Sequence, residues 1–358
     1  MYVMRRNYLV CLLILLVGCT SNKDTFKTPV FRDEIESDFS IISDDLGFNS
    51  INDLFIYKGY AIVYAYDFDS GEWLHVYDKA TGEHIVSAVT YGRGPGELIS
   101  SALNAVMSYD DGILVLNDAV QNKRIVYDIE RLVANGIEGS FYEDEYLYET
   151  WLTHVFKTEN NRSLKVCNQS PEALEETTGP RFSIVNGNDE VVSTYEKYPL
   201  EDNTRARWNL YAQPSISLSP NGERFAVGTS FGAILETFRI SHDTIYDTSI
   251  SYFIDPCLNE NVDNYFLEST LGFGDIFTTD EYVYTVYDGE TKFRSDNFND
   301  ILSSIAVFNW NGVPLMRIQC GGTIEQIFVN SSERLLYAIV KESDGSCHLA
   351  KMSVPDDF

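Results

Sequence analysis

Short apolar runs recur along this chain, and each is followed by a polar turn and a second alternating strand. The runs cover 51–57, 102–108, 151–157, 215–219, 273–278 and 324–329, so consecutive starts lie 51, 49, 64, 58 and 51 residues apart. The turns that follow, such as Lys58-Gly59, Asp111-Gly112 and Pro220-Asn221-Gly222, use residues that tolerate positive φ or preset a bend. The second strands, among them YAIVYAYD (60–67), ILVLND (113–118) and YVYTVYD (282–288), are rich in β-branched and aromatic residues, as a pleated, half-buried surface requires. Third and fourth strands complete several repeats, as in EWLHVYD, RIVYD and SSIAVFN. Four short strands per fifty or so residues is the spacing of propeller blades. Six repeats predict an all-β fold, a six-bladed β-propeller over residues 28–358. No long amphipathic helix interrupts it; 129–135 and 171–176 have room for a turn or two. A chain of this length exceeds what one core supports. No linker divides it, so each blade is expected to carry its own small core. Ring closure requires a partner for the last blade's edge, and 28–42 is expected to supply that outer strand.

The first residues read as a targeting segment. Arg5 and Arg6 precede an apolar run at 9–17 that is too short to span a bilayer. The run ends in Leu16-Val17-Gly18-Cys19, which resembles the bacterial lipobox. That resemblance implies a lipoprotein signal peptide over 1–18, cleavage before Cys19, diacylglycerol on its sulfur, and an acyl chain such as palmitate on the new amino terminus. Two or more acyl chains make a stable membrane anchor. Residues 19–27 then form a short polar tether.

The lipobox, the repeat, Gly92-Arg93-Gly94-Pro95-Gly96-Glu97-Leu98 after the first blade, and Ser219-Pro220-Asn221-Gly222 together resemble the TolB-like six-bladed propeller lipoproteins of Bacteroidetes. The resemblance covers essentially the mature chain. It implies the architecture and an outer-membrane location, periplasmic or surface-facing, and says little about function.

Charge narrows the partners. The chain carries −28, and without Arg5 and Arg6 the mature part has 24 basic against 54 acidic residues, or −30. Nucleic-acid binding rests on neutralising phosphates with basic residues and is excluded. Cys167, Cys257, Cys320 and Cys347 show no metal-binding spacing. They read either as four reduced thiols or as containing one disulfide, with Cys320 and Cys347 the pair expected to form it.

Candidate chemistry is sparse. The glycine segment at 92–97 lacks the ending of a phosphate loop and reads as a tight crossing between blades, with Arg93 and Glu97 pairing with each other or with a neighbouring blade. Loops between second and third strands, and between blades, share one face: 67–71, 118–123, 199–211 and 288–300. Arg93, Glu97, Arg205, Arg207, Trp208, Lys292 and Arg294 fall on it and are the ligand-binding candidates, suited to an anionic or sugar-like group. His75 and His154 read as structural. No catalytic residue is assigned and no cofactor is expected. The leading expectation is a non-enzymatic module that binds an envelope protein or glycan. The alternative is a metal-dependent hydrolase or lactonase holding a divalent cation such as calcium at the channel mouth, through Asp53, Asn104, Asp275 and Glu325.

Overall fold

The computed structural model describes residues 26–48, 51–99, 105–108, 111–118, 120–145, 152–158, 161–167, 180–200, 210–211, 214–257, 269–292 and 304–355. They form six sheets, antiparallel except where the first strand joins blade five. Two strands come first, β1 (Asp33–Glu36) and β2 (Ser40–Ile41). Blade one is β3 (Ile51–Tyr57), β4 (Tyr60–Ala65), β5 (Glu72–Asp78) and β6 (His84–Thr90). Blade two is β7 (Ala105–Ser108), β8 (Ile113–Asp118), β9 (Lys123–Asp128) and, after helix α1 (Ile129–Asn135), β10 (Phe141–Glu145). Blade three is β11 (Leu152–Thr158), β12 (Arg162–Cys167), β13 (Phe182–Val185) and β14 (Val191–Tyr195). Blade four is β15 (Ser215–Leu218), β16 (Arg224–Gly228), β17 (Ala233–Ser241) and β18 (Thr244–Ile254). Blade five is β19 (Phe273–Thr278), β20 (Tyr282–Tyr287), β21 (Ser304–Asn309) and β22 (Pro314–Gln319). Blade six is β23 (Thr323–Asn330), β24 (Leu335–Lys341) and β25 (Cys347–Ser353). Residues 129–135 form the one short helix expected there, capped by Asp128 accepting from the Arg131 amide; 171–176 lie outside the described residues.

The amino-terminal segment closes the ring, but over a wider span than expected. β2 pairs antiparallel with β25 as the fourth strand of blade six. β1 instead pairs parallel with β22, adding a fifth strand to blade five. Phe31 packs against Tyr287 and Phe308 of blade five, and the Lys27 amide bonds the Tyr252 carbonyl of blade four. Leu46 and Phe48 are buried with residues of blades six and one. Residues 26–48 are thus a strap over four consecutive blades.

The hydrophobic core departs from expectation. Cores lie between blades, not within them. One cluster joins Ile62, Leu74 and Val76 of blade one to Leu114, Leu116 and Tyr127 of blade two. Others join blades six and one, five and six, four and five, and three and four. A blade is a single sheet, and both its faces must be covered by neighbouring sheets. Gly112 shows how tight this is: at φ +69 its absent Cβ would lie 2.6 Å from the Tyr57 ring of the preceding blade.

Among the described residues Cys320 and Cys347 form no disulfide. Burial pushes the Cys320 thiol up to about 12 and the Cys347 thiol up to about 11, so both behave as small apolar groups.

Candidate functional site

The innermost strands carry bulges at equivalent places, between Ile51 and Asp53, Leu152 and His154, Phe273 and Ile276, and Ile324 and Gln326. Each bulge re-aims a polar side chain near the ring's centre. Asp53 of blade one accepts from the Ala105 amide of blade two. Asp275 of blade five accepts from the Ile327 amide of blade six at 2.8 Å. Two of the proposed metal ligands therefore tie each blade to the next. Burial pushes the Asp53 carboxyl up to about 8, with repulsion from Asp275 adding to it, and pushes Asp275 up to about 7. Glu325 lies 3.4 Å from Lys341, and Asn104 lies outside the described residues. Among the described residues no three His, Cys, Asp or Glu side chains converge in a way that holds a metal ion.

A pH dependence follows. Both carboxyls have folded values above their unfolded ones, so their contribution to stability is complete below about pH 4. It is lost as pH rises through about 7 to 8. Asp53→Asn keeps an oxygen for the Ala105 amide and cannot ionise. Its urea midpoint is expected to pull ahead of wild type between pH 5 and 8, reaching at least about 1.4 kcal/mol, one pKa unit's worth. Parallel pH profiles for the two proteins would contradict this role.

The histidines divide. His75 is satisfied, with Nδ1 2.8 Å from Ser87 Oγ and Nε2 3.2 Å from the Ala65 carbonyl. His154 is not: burial pushes it down to about 4, and its Nδ1 has no hydrogen-bond partner. Ser346 Oγ lies 2.9 Å from His348 Nε2 and 2.6 Å from Asp344 Oδ1. The hydroxyl proton is directed at Asp344, so the imidazole is not placed to withdraw it as a nucleophile's base would be.

The face bearing the loops between second and third strands is shaped by a recurring acid. Asp67, Asp118 and Asp288 end or follow the second strands of blades one, two and five, and each accepts amides two and three residues ahead or a nearby hydroxyl. The glycine segment joins this framework as a structural crossing. Glu97 Oε2 accepts from the Gly94 amide at 2.6 Å, and a Cβ on Gly92 would lie 2.0 Å from that same oxygen. Gln121 of blade two holds the Gly92 and Glu97 carbonyls, and Lys123 holds that of Gly94. Glu97 is therefore spent on its own loop. It does not pair with Arg93, which is exposed and makes no ion pair among the described residues.

Tyr91, two residues before Arg93 in sequence, belongs to an aromatic group that patterning did not single out. Tyr66 packs edge-on against Phe68 at 4.9 Å, against Tyr91 at 6.4 Å, and tilted against Trp73 at 4.6 Å. Phe68 is 74% exposed and Tyr91 60%. Val120, 65% exposed, sits in the blade-two loop whose Gln121 grips the glycine segment. The signal was present as a polar loop, Asp67–Gly71, with a phenylalanine inside it.

Of the other basic candidates, Lys292 is not gathered here. Lys292 bridges Thr270 beside blade five, in a different sector of the ring. Arg205, Arg207, Trp208 and Arg294 lie outside the described residues, as does Cys19. Tyr211, at the end of the 199–211 loop, is buried; its ring lies 4.9 Å from the guanidinium of Arg181. Arg181 makes a two-point ion pair with Glu236 at 2.6 and 2.7 Å, joining blades three and four, with the two side chains 4% and 1% exposed.

The opposite face is occupied by bonds between blades. Lys58 pairs with Glu130, Lys79 with Glu333 at 2.6 Å, and Arg162 with Asp243 at 2.8 Å.

Six sheets in a ring, five of four strands and one of five, define a six-bladed β-propeller. The TolB-like 6-blade propeller-like family matches residues 54–332, and the chain belongs to it. A protein of Bacteroides fragilis assigned as exported is similar in structure, with 12% identity and a TM-score of 0.54, over 90% of this chain and 99% of that one. The WD40 repeats of RRP9 align at 10% identity and a TM-score of 0.53, over 91% and 99%. At these identities the likeness shows the fold alone. No curated protein matches the chain in sequence.

Proposed function

We propose that this chain is an exported lipoprotein, anchored through Cys19 to the bacterial outer membrane, whose propeller binds an envelope protein or glycan on its loop-bearing face without catalysing a reaction. The observation that carries the reading is the exposed aromatic group of Phe68 and Tyr91, seated on Tyr66, with Arg93 two residues after Tyr91 in sequence. Large aromatic surface left in water near a forked cationic donor is the make-up of binding hot spots. Its framework is rigid: Asp67, Asp118, Glu97, Gln121 and Lys123 are all spent on holding the loops. The opposite face uses its basic side chains to join blades and presents no comparable group among the described residues. The described strap begins at Phe26, against Tyr252 on blade four's outer strand. The lipid-anchor reading itself rests on the box at 16–19. This function needs no cofactor.

The experiment is capture from crosslinked native membranes. The protein is expected to sediment with membranes and to carry a partner with it. Phe68→Ala with Tyr91→Ala should weaken that capture by roughly thirtyfold, the effect of losing about 2 kcal/mol at a hot spot. Glu83→Ala on the opposite face should leave it unchanged. Equal capture by the folded double variant would overturn the assignment of the face, and recovery in the soluble fraction would overturn the anchor.

A further inference from the structure

Most polar side chains in the loops around the exposed aromatic group are already engaged. Asp67 and Asp118 accept from amides of their own loops. Ser70 donates to Asp67 at 2.7 Å and accepts from the Glu72 amide. Glu97 closes the glycine segment, while Gln121 and Lys123 hold its carbonyls. What these loops leave for a partner is mostly apolar: Phe68 is 74% exposed, Val120 65% and Tyr91 60%. Two charged side chains remain. Asp69 and Arg93 are exposed and take part in no side-chain ion pair or hydrogen bond among the described residues. Two residues of chain put the Arg93 backbone within about 7 Å of that of Tyr91.

A glycan and a protein need different things from such a surface. A sugar ring laid on aromatic carbon carries hydroxyls around its rim, and each one covered without a partner is costly. One carboxylate, one guanidinium and the Tyr91 hydroxyl are little to set against them. An apolar protein side chain asks for no donor or acceptor. Its burial on Phe68 and Tyr91 is favourable by area, and the backbone behind it keeps its hydrogen bonds within the partner. The guanidinium of Arg93 is suited to grip a carboxylate at two points. The field of a chain of −28 opposes an acid from afar. At physiological salt that field is screened beyond about 8 Å, so contact with Arg93 decides.

We infer, given the loop face as the binding surface, that the partner is a protein which presents a large apolar side chain with an aspartate or glutamate a few residues away. The apolar group covers Phe68 and Tyr91, and the carboxylate pairs with Arg93.

Selection of phage-displayed random peptides on the full mature protein tests it, with an array of neutral and acidic oligosaccharides beside it. Enriched peptides are expected to combine an aromatic or long aliphatic residue with Asp or Glu. The best of them, made synthetically, should bind the Phe68→Ala, Tyr91→Ala double variant roughly thirtyfold more weakly. It should bind Arg93→Glu at least about tenfold more weakly, through loss of the charged pair. Arg239→Glu, exposed toward the opposite face of blade four, changes the net charge equally and should bind as the wild type does. Enrichment of basic peptides, an equal loss in Arg239→Glu, or undiminished binding by either folded site variant would overturn the inference. So would an oligosaccharide whose binding is lost in the double variant, an outcome that keeps the face and makes the partner a glycan. No enriched peptide at all would also overturn it, while the face itself stands or falls on the membrane capture of the double variant.

Discussion

A mature chain that begins at residue 43, and so lacks Ser40–Ile41, is expected to be largely unfolded at 25 °C. Truncation removes β2 from the edge of β25 and β1 from β22. It also removes Phe31 from the core between blades four and five. It uncovers Met316, Ile318 and Met352, which are buried in the core between blades five and six. Each large apolar side chain contributes roughly 1.5–3 kcal/mol on burial. The combined loss is then on the order of the 5–15 kcal/mol that holds a typical domain folded. The structure also supplies a rescue. β2 lies antiparallel to β25, with Ser40 opposite Lys351. Residues 37–42 appended after Pro355 through a short turn can therefore re-enter as a hairpin strand and recover the part of the loss that β2 carries. Restored cooperative urea unfolding in that permuted chain would confirm that closure depends on the strap's pairing, and a truncated chain as stable as the full one would refute it.

Arg181→Met is expected to cost about 3–5 kcal/mol, because it strands Glu236 without a partner inside the protein. The guanidinium is held by both Glu236 oxygens and by the Lys197 carbonyl, with the rings of Phe182 and Tyr198 4.7 and 4.8 Å away. Adding Glu236→Leu should recover much of the loss, since replacing both members of a buried pair is often near neutral. Urea unfolding of the three variants checks this. A single variant within 1 kcal/mol of wild type, on the order of an exposed pair, would show that water reaches Glu236.

The blades were legible because each second strand reads as apolar and each turn carries its own chemistry. The six innermost strands begin within three residues of the predicted runs, and blade three survives the 64-residue gap that separates its start from blade four's. Two features of the fold were not legible. Periodicity marks which positions are apolar, not which sheet covers them, so cores between blades read the same as cores within them. A strand of two residues such as Ser40–Ile41 has no period, and only the need to close the ring pointed to 28–42. The site was legible as a face and not as residues. Asp67–Gly71 and the glycine segment read as sharing one face with the basic candidates, and nothing in the pattern set Phe68 and Tyr91 apart there. Their exposure is set by tertiary packing on Tyr66, which strand patterning does not encode. Asp53 and Asp275 were correctly placed on innermost strands. Their use as ties between blades depends on bulges that have no sequence mark.

The central claim, that the loop-bearing face is where a partner is held, is tested most directly by photocrosslinking in intact cells. A photoreactive phenylalanine analogue would replace Phe68, Tyr91 or, on the opposite face, Val313, which is 48% exposed in the turn between β21 and β22. A discrete adduct from positions 68 and 91, with none from 313, is the predicted result. An adduct from 313 with none from 68 or 91 would contradict it.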